Sequence, residues 1–164
     1  MYPSKELLVK EEIDKCLNAR FIKPIDYSEW MGNIFPISKP SGENQVCTNF
    51  RDINNACSKD DLSLPNIDMM FDSIVDHDTL YFMDGFSSYN QILINLVDQH
   101  KIAFTTPWGN LYWKVIPFGL KNAGDTYQRD MVTMFHEHIH KMIEVYVDDI
   151  LVESKQGQDH LQSL

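Results

Sequence analysis

Between Lys59 and Lys101 the chain has no lysine or arginine, although eight aspartates fall in that stretch. Over all 164 residues there are 14 Lys+Arg against 24 Asp+Glu, a formal net charge of −10 and a pI near 4.9. Affinity for nucleic acid comes largely from cations that neutralise phosphates. This balance therefore implies a weak grip on a polyanion, unless basic residues cluster in one groove or metal offsets the acids. Cysteine is scarce too. Cys16, Cys47 and Cys57 are odd in number and form no C-x-x-C pair, which points to reduced, packed or surface thiols of an intracellular protein. No run of about 18 apolar residues occurs, and the charged start Met1-Tyr2-Pro3-Ser4-Lys5-Glu6 has no apolar signal core. Neither a membrane span nor secretion is expected. No repeat or low-complexity linker shows, and 43% hydrophobic with 12% aromatic residues suffices for one sizeable core.

Against these absences stands one tetrapeptide. Tyr146-Val147-Asp148-Asp149 lies between two short apolar runs, Met142-Ile143-Glu144-Val145 and Ile150-Leu151-Val152. β-Branched runs flanking a turn-forming Asp pair predict a β-hairpin with two adjacent carboxylates at its tip. Such carboxylates repel unless a cation holds them, so the turn points to a hard divalent metal and hence to phosphoryl chemistry. The plain alternative is a solvated Asp-rich surface turn.

A further acid closes Thr79-Leu80-Tyr81-Phe82-Met83-Asp84, an apolar, strand-like run. Alone, Asp84 reads as a strand terminator or as an N-cap for Ser87-Ser88-Tyr89-Asn90-Gln91. Beside the Asp148 turn it would complete a ligand set for two divalent ions about 3.5–4 Å apart, the pair that clamps the oxygens of an in-line displacement at phosphorus.

Periodicity predicts a helix over 5–18 capped by Ser4, with Leu7, Leu8, Ile13 and Leu17 on one face. Strands are expected at 34–37 and 46–50 across the Pro40-Ser41-Gly42 turn, and near 80–83, 91–95, 102–105 and 112–116. Ile67, Met70, Phe71 and Ile74 at helical spacing give a helix over 66–75, with its methionines as core filler. A longer helix over 124–138 would bury Tyr127, Met131, Met134 and Phe135, and another begins at 158. His136-Glu137-His138-Ile139-His140 also fits the H-E-x-x-H pattern of zinc peptidases, but the next acids belong to the hairpin. Exposed histidines at a helix end are the preferred reading.

Several ordered motifs resemble those of the reverse transcriptases of LTR retrotransposons, most closely the gypsy type. Phe50-Arg51-Asp52-Ile53-Asn54 is similar to the family's fingers motif, and Phe82-Met83-Asp84 with Ser87-Ser88-Tyr89-Asn90-Gln91-Ile92 to its first palm motif. Ile116-Pro117-Phe118-Gly119-Leu120-Lys121-Asn122-Ala123-Gly124, running into Thr126-Tyr127-Gln128-Arg129, resembles the second, and Tyr146-Val147-Asp148-Asp149 the third. The likeness runs from Phe21 to Leu161.

The resemblance implies an α+β fold, the fingers and palm of a right-hand polymerase, with an antiparallel palm sheet and helices packed on one face. Residues 1–20 would be a helical lead-in and 21–164 the core. A thumb, a connection region and RNase H follow in the family's polyproteins, and here the chain stops at Leu164, so they are expected to be absent. The implied activity is RNA-directed DNA polymerisation with two Mg2+ ions, Mn2+ able to substitute, on an RNA or DNA template with a primer and dNTPs. A cytoplasmic particle or the nucleus is the expected location.

By the same resemblance Asp84 and Asp148 would bind the two ions, with Asp149 as a supporting carboxylate. Tyr89 matches the aromatic gate under the incoming sugar, which favours deoxynucleotides. Lys39 matches the lysine on the triphosphate, and Arg51 of the fingers motif joins the substrate-binding set. Phe118, Gly119 and Gln128 match the segment lining the nucleotide and template side. Phosphoryl transfer needs mainly positioning and charge neutralisation, so no covalent nucleophile is required.

The chain departs from the family pattern at four places. Asn44-Gln45 stands where Trp-Arg is usual, and a neutral amide cannot replace a guanidinium fork on phosphate. Asn49 replaces an Asp, Ser88 a Gly before the gate tyrosine, and Asp125 a small Ala near the expected nucleotide pocket. Lys121 and Arg129 are the cations able to swing toward phosphate in place of an arginine at 45. Together the departures define the alternative: a catalytically impaired retrotransposon remnant, at most an interaction module.

Overall fold

The computed structural model describes residues 3–38, 44–75, 79–85 and 88–154. Lys39, the Pro40-Ser41-Gly42 turn and the helix expected from 158 lie outside them. In chain order the elements are α1 (Pro3–Asn18), β1 (Ile22–Pro24), β2 (Met31–Ser38), β3 (Asn44–Thr48), α2 (Arg51–Ala56), α3 (Ile67–Ile74) and β4 (Thr79–Asp84). A 3-10 turn (Ser88–Gln91) follows, then α4 (Leu96–Gln99), β5 (Ala103–Thr106), β6 (Gly109–Trp113), α5 (Ala123–Met134), β7 (Ile143–Tyr146) and β8 (Asp149–Ser154). They form two compact units, residues 1–59 with 89–123, and residues 60–88 with 124–164.

The first unit is a five-stranded sheet in the order β1-β6-β5-β2-β3, antiparallel except for the parallel pair β2–β5. α1 lies on it, burying Val9 and Ile13 against Ile22, Phe104 and Leu111, with Cys16 and Leu17 packed alongside. Those four helix positions recur at i, i+4, i+7 and i+8, a single apolar stripe. Leu7 and Leu8, expected on that face, are exposed because they fall off the stripe that Val9 defines. Phe104 is 1% exposed, and burial of such a side chain contributes about 1.5–3 kcal/mol.

Two strand expectations are corrected here. β3 ends at Thr48 and not at Phe50, because the Asn49 side-chain oxygen accepts the Arg51 amide at 3.0 Å and starts α2. The strand expected at 112–116 forms as β6 but ends at Trp113, and the one expected at 91–95 is reduced to an antiparallel bridge, Leu93 opposite Val115. Asn95 then turns its side chain onto the Val97 amide at 3.2 Å and opens α4, which ends the extended stretch.

The second unit is a three-stranded antiparallel sheet in the order β4-β8-β7. β8 is paired on both sides, and Val152 within it is 0% exposed. Ile143, Val145, Ile150 and Leu151 of this sheet are also buried, and so are Tyr127 and Met131 of α5. α5 stops at Met134, short of 138, and Met134 itself is exposed. Beyond it the amides of His138 and Ile139 both return to the Phe135 carbonyl, and His140 sits at a φ of 61°, so the chain curls off the helix axis. Asn66 caps α3, accepting the Asp68 amide at 2.9 Å. Its Met69, expected as core filler, is 71% exposed, and Ile67 and Phe71 are exposed as well. Helical spacing defines a face but not what packs against it.

Candidate active site

Tyr146 and Asp149 are the last register pair of the β7–β8 hairpin, which leaves Val147 and Asp148 as a two-residue turn. Val147 adopts a φ of 52°, the left-handed conformation that tight hairpin turns demand at their first central position. A β-branched side chain is poorly suited to it, and such strain costs about 1–3 kcal/mol. On the other edge of β8, the β4 ladder runs from Thr79 opposite Ser154 to Asp84 opposite Asp149. The next residue, Gly85, donates its amide to the Asp148 carbonyl at 3.4 Å. The sheet thus brings three acids, Asp84, Asp148 and Asp149, to one end of neighbouring strands. Asp149 is exposed, while Asp148 is half-buried with its Oδ1 withdrawn from solvent.

α5 supports both strand ends from within the same unit. Gln128, 2% exposed, donates its side-chain amide to the Val145 carbonyl at 3.1 Å and accepts the Val147 amide at 2.6 Å. Its side chain spans the hairpin backbone on both sides of Tyr146. The preceding Tyr127 places its hydroxyl 2.5 Å from where a Cβ on Gly85 would stand, so any side chain after Asp84 would have to displace it. The signal for such a role is present in the sequence, since a glutamine flanked by the buried stripe of an amphipathic helix must find a polar partner.

In the first unit, Tyr89 is buried in the 3-10 turn and meets the half-exposed Phe118 edge to face, ring centroids 4.9 Å apart. Gly119 has a φ of 98°, where any other residue would be strained, and a Cβ there would lie 3.6 Å from the Phe50 ring. Asn54 ties this loop to α2, donating to the Gly119 carbonyl at 2.7 Å and accepting the Lys121 amide at 2.9 Å. Arg51 is exposed at the start of α2, and Gln45 is half-buried on the β2–β3 hairpin opposite Ile37.

The two cations considered as substitutes for an arginine at 45 are both engaged. Lys121 donates Nζ to the Cys57 carbonyl at 2.8 Å, and Arg129 binds both oxygens of Asp60 at 2.9 and 3.0 Å. The Arg129 hydrogen bond holds the Asp60 carboxyl below the usual carboxylate range. Two of the departures carry bonds of their own. Asn49 starts α2, and Ser88, at a φ of 22°, donates both its amide and its hydroxyl to the Gly85 carbonyl at 3.0 and 2.8 Å. Asp125 lies in the first turn of α5, where a carboxylate complements the helix dipole.

The histidine pattern lies off the helix that a zinc H-E-x-x-H site requires. α5 ends before His136, and His140 instead pairs its Nδ1 with Glu144 at 3.0 Å. Among the described residues no three His, Cys, Asp or Glu side chains gather to hold one ion. The Asp84 side chain is outside that set. The donors at the sheet end are all carboxylate oxygens, which suit a hard divalent cation and not a soft one.

Residues 37–164 match the family described as reverse transcriptase (RNA-dependent DNA polymerase). The chain belongs to the reverse transcriptase family. It is 35% identical over 176 residues to the enzymatic polyprotein of cauliflower mosaic virus (strain Strasbourg), covering 97% of this chain and 26% of that protein. It is 31% identical over 160 residues to the retrovirus-related Pol polyprotein from transposon opus of Drosophila melanogaster, covering 95% and 16% respectively. The chain therefore spans about a quarter or less of the length of these relatives. Among solved structures it resembles the prototype foamy virus protease-reverse transcriptase, with a TM-score of 0.86 at 21% identity over 99% of this chain and 22% of that one. A foamy viral protease-reverse transcriptase in complex with an RNA/DNA hybrid gives 0.84 at 20% identity, over 99% and 21%. The fold is the α+β fingers-and-palm region of a reverse transcriptase. No helix among the described residues is long and apolar enough to cross a membrane.

Proposed function

We propose that this chain is the fingers and palm of a gypsy-type, retroelement-derived RNA-directed DNA polymerase, which joins a dNTP to a primer 3′-hydroxyl on an RNA or DNA template. The observation that carries the reading is the register of Asp84 with Asp149, next to the Val147-Asp148 turn, at one end of a three-stranded sheet. Asp84, Asp148 and Asp149 would hold two Mg2+ ions, or Mn2+ in their place, and bound metal would supply charge neutralisation at the reacting phosphate. Tyr89, set edge to face against Phe118, forms an aromatic wall suited to exclude a 2′-hydroxyl. Gly119 lets the backbone approach a base or sugar closely, and Arg51 and Lys39 offer positive charge to the triphosphate. Foamy viral relatives of the fold bound to double-stranded DNA and to an RNA/DNA hybrid support a primer-template as the partner. The rest of a polyprotein, thumb and RNase H included, would supply much of the grip that a net charge of −10 withholds.

The test is primer extension on an RNA template with Mg2+ or Mn2+, comparing the chain, Asp148→Asn, and Gln45→Arg combined with Asp125→Ala. Extension abolished by Asp148→Asn supports a working polymerase site. Extension only after the double restoration would instead establish the impaired remnant, and the absence of extension in every variant, in the polyprotein context as well, would overturn the proposal.

A further inference from the structure

Gln128 is a buried polar side chain whose two bonds go to backbone, and its partner Val147 is the β-branched residue held in the left-handed region at the carboxylate turn. We infer that Gln128 is a positioning residue for the metal-binding turn: by bridging Val145 and Val147 it holds the strained backbone that aims the Asp148 carboxylate. The inference rests on the metal reading above and adds the residue through which α5 sets the geometry.

A two-residue hairpin needs a left-handed first position, which asparagine or glycine would accept at little cost and valine resists. Left alone, Val147 would relax toward negative φ and rotate the peptide joining it to Asp148. The 2.6 Å bond from the Val147 amide to Gln128 fixes the orientation of the peptide on one side of Val147. The 3.1 Å bond from Gln128 to the Val145 carbonyl fixes the amide plane of Gln128 itself, so the acceptor cannot turn away. The anchor is rigid because Tyr127 and Met131, on the same helix, are buried. Asparagine at 128 would be one methylene too short to make both bonds.

This predicts a specific rescue. Glycine at 147 takes positive φ freely, so a chain with Val147→Gly should no longer depend on the brace. Mn2+ binding to the full chain, followed by paramagnetic relaxation, and hydrogen exchange of the residue 147 amide would be measured for wild type, Gln128→Asn, Gln128→Met, Val147→Gly and the double variants. The expected result is a Mn2+ affinity roughly tenfold lower in either Gln128 variant, about 1.4 kcal/mol, with faster exchange at 147, and return to within about twofold of wild type when Val147→Gly is added. An affinity unchanged by Gln128→Asn, the milder substitution should Gln128→Met fail to fold, would overturn the inference and leave the metal reading intact. A loss that Val147→Gly does not restore would also overturn it, since Gln128 would then act through the core or on substrate. Failure of the wild type itself to bind Mn2+, with a protected 147 amide, would overturn the metal reading and the inference with it.

Discussion

Asn54 closes the loop at Gly119 from both sides, giving its side-chain N–H to the Gly119 carbonyl at 2.7 Å and taking the Lys121 amide at 2.9 Å. The fingers motif and the second palm motif, 65 residues apart, are thereby stitched together within one unit. Asn54→Ala should destabilise that unit by about 1–3 kcal/mol, two hydrogen bonds at about 0.5–1.5 each. Asn54→Asp keeps the acceptor for Lys121 and loses the donor for Gly119, so its urea midpoint should fall between the two. Equal midpoints for wild type and Asn54→Ala would mean that water replaces both bonds without loss.

Gly85→Ala should be costly for a reason other than backbone freedom. Its Cβ would stand 2.5 Å from the Tyr127 hydroxyl, and overpacking of this kind costs about 1–3 kcal/mol. Tyr127→Phe removes the clashing oxygen, so the double variant should recover part of the loss in melting temperature. Strictly additive effects of the two substitutions would show that the clash is relieved elsewhere.

The parts of this site that were legible in the sequence are the local ones. The β7–β8 hairpin could be read because both strands and the turn fall within residues 143–154, and α3 because its apolar spacing lies within one short segment. The pairing of Asp84 with Asp149 could be suspected from chemistry but is settled only by a ladder between strands 65 residues apart in the chain. α2 and α4 escaped the periodicity because at 6 and 4 residues they are too short to show one, and asparagine side chains start them. On α1, Leu7 and Leu8 looked as apolar as Val9, and only the sheet beneath selects the stripe through Val9 and Ile13. Gln128 was matched to the substrate side by its motif, whereas its side chain is occupied with a hairpin whose backbone no sequence pattern displays.

Thiol chemistry should separate the cysteines. Burial pushes the Cys16 thiol up to about 11, with the Glu12 carboxylate adding to the shift and Lys15 opposing it, whereas Cys57 is exposed. At pH 8 a disulfide reagent should modify Cys57 rapidly and Cys16 slowly, because the thiolate is the nucleophile. The sign for stability follows from a folded pKa raised above its ordinary value of 9.0. Stability is full below that value and declines as pH rises between 9 and about 11, where the unfolded chain loses the proton first. Cys16→Ala should flatten that alkaline decline. Equal modification rates for Cys16 and Cys57 would show that α1 opens readily from the sheet.

Asp125 poses a conflict between folding and the proposed reaction. Its place in the first turn of α5 lets the carboxylate oppose the positive end of the helix, a contribution of about 0.3–1 kcal/mol. The same charge would repel a triphosphate bound nearby, and the repulsion would be screened by salt. Asp125→Ala should therefore lower the melting temperature by a few degrees while lowering KM for dNTP several-fold at low ionic strength, with kcat little changed, the signature of altered uniform binding. The difference in KM should shrink as salt is raised, whereas the loss of stability should shrink less, because the carboxylate lies against the helix terminus itself. A KM that does not move at low salt would place Asp125 outside the field of the nucleotide, and its only role would then be to start the helix that carries Gln128.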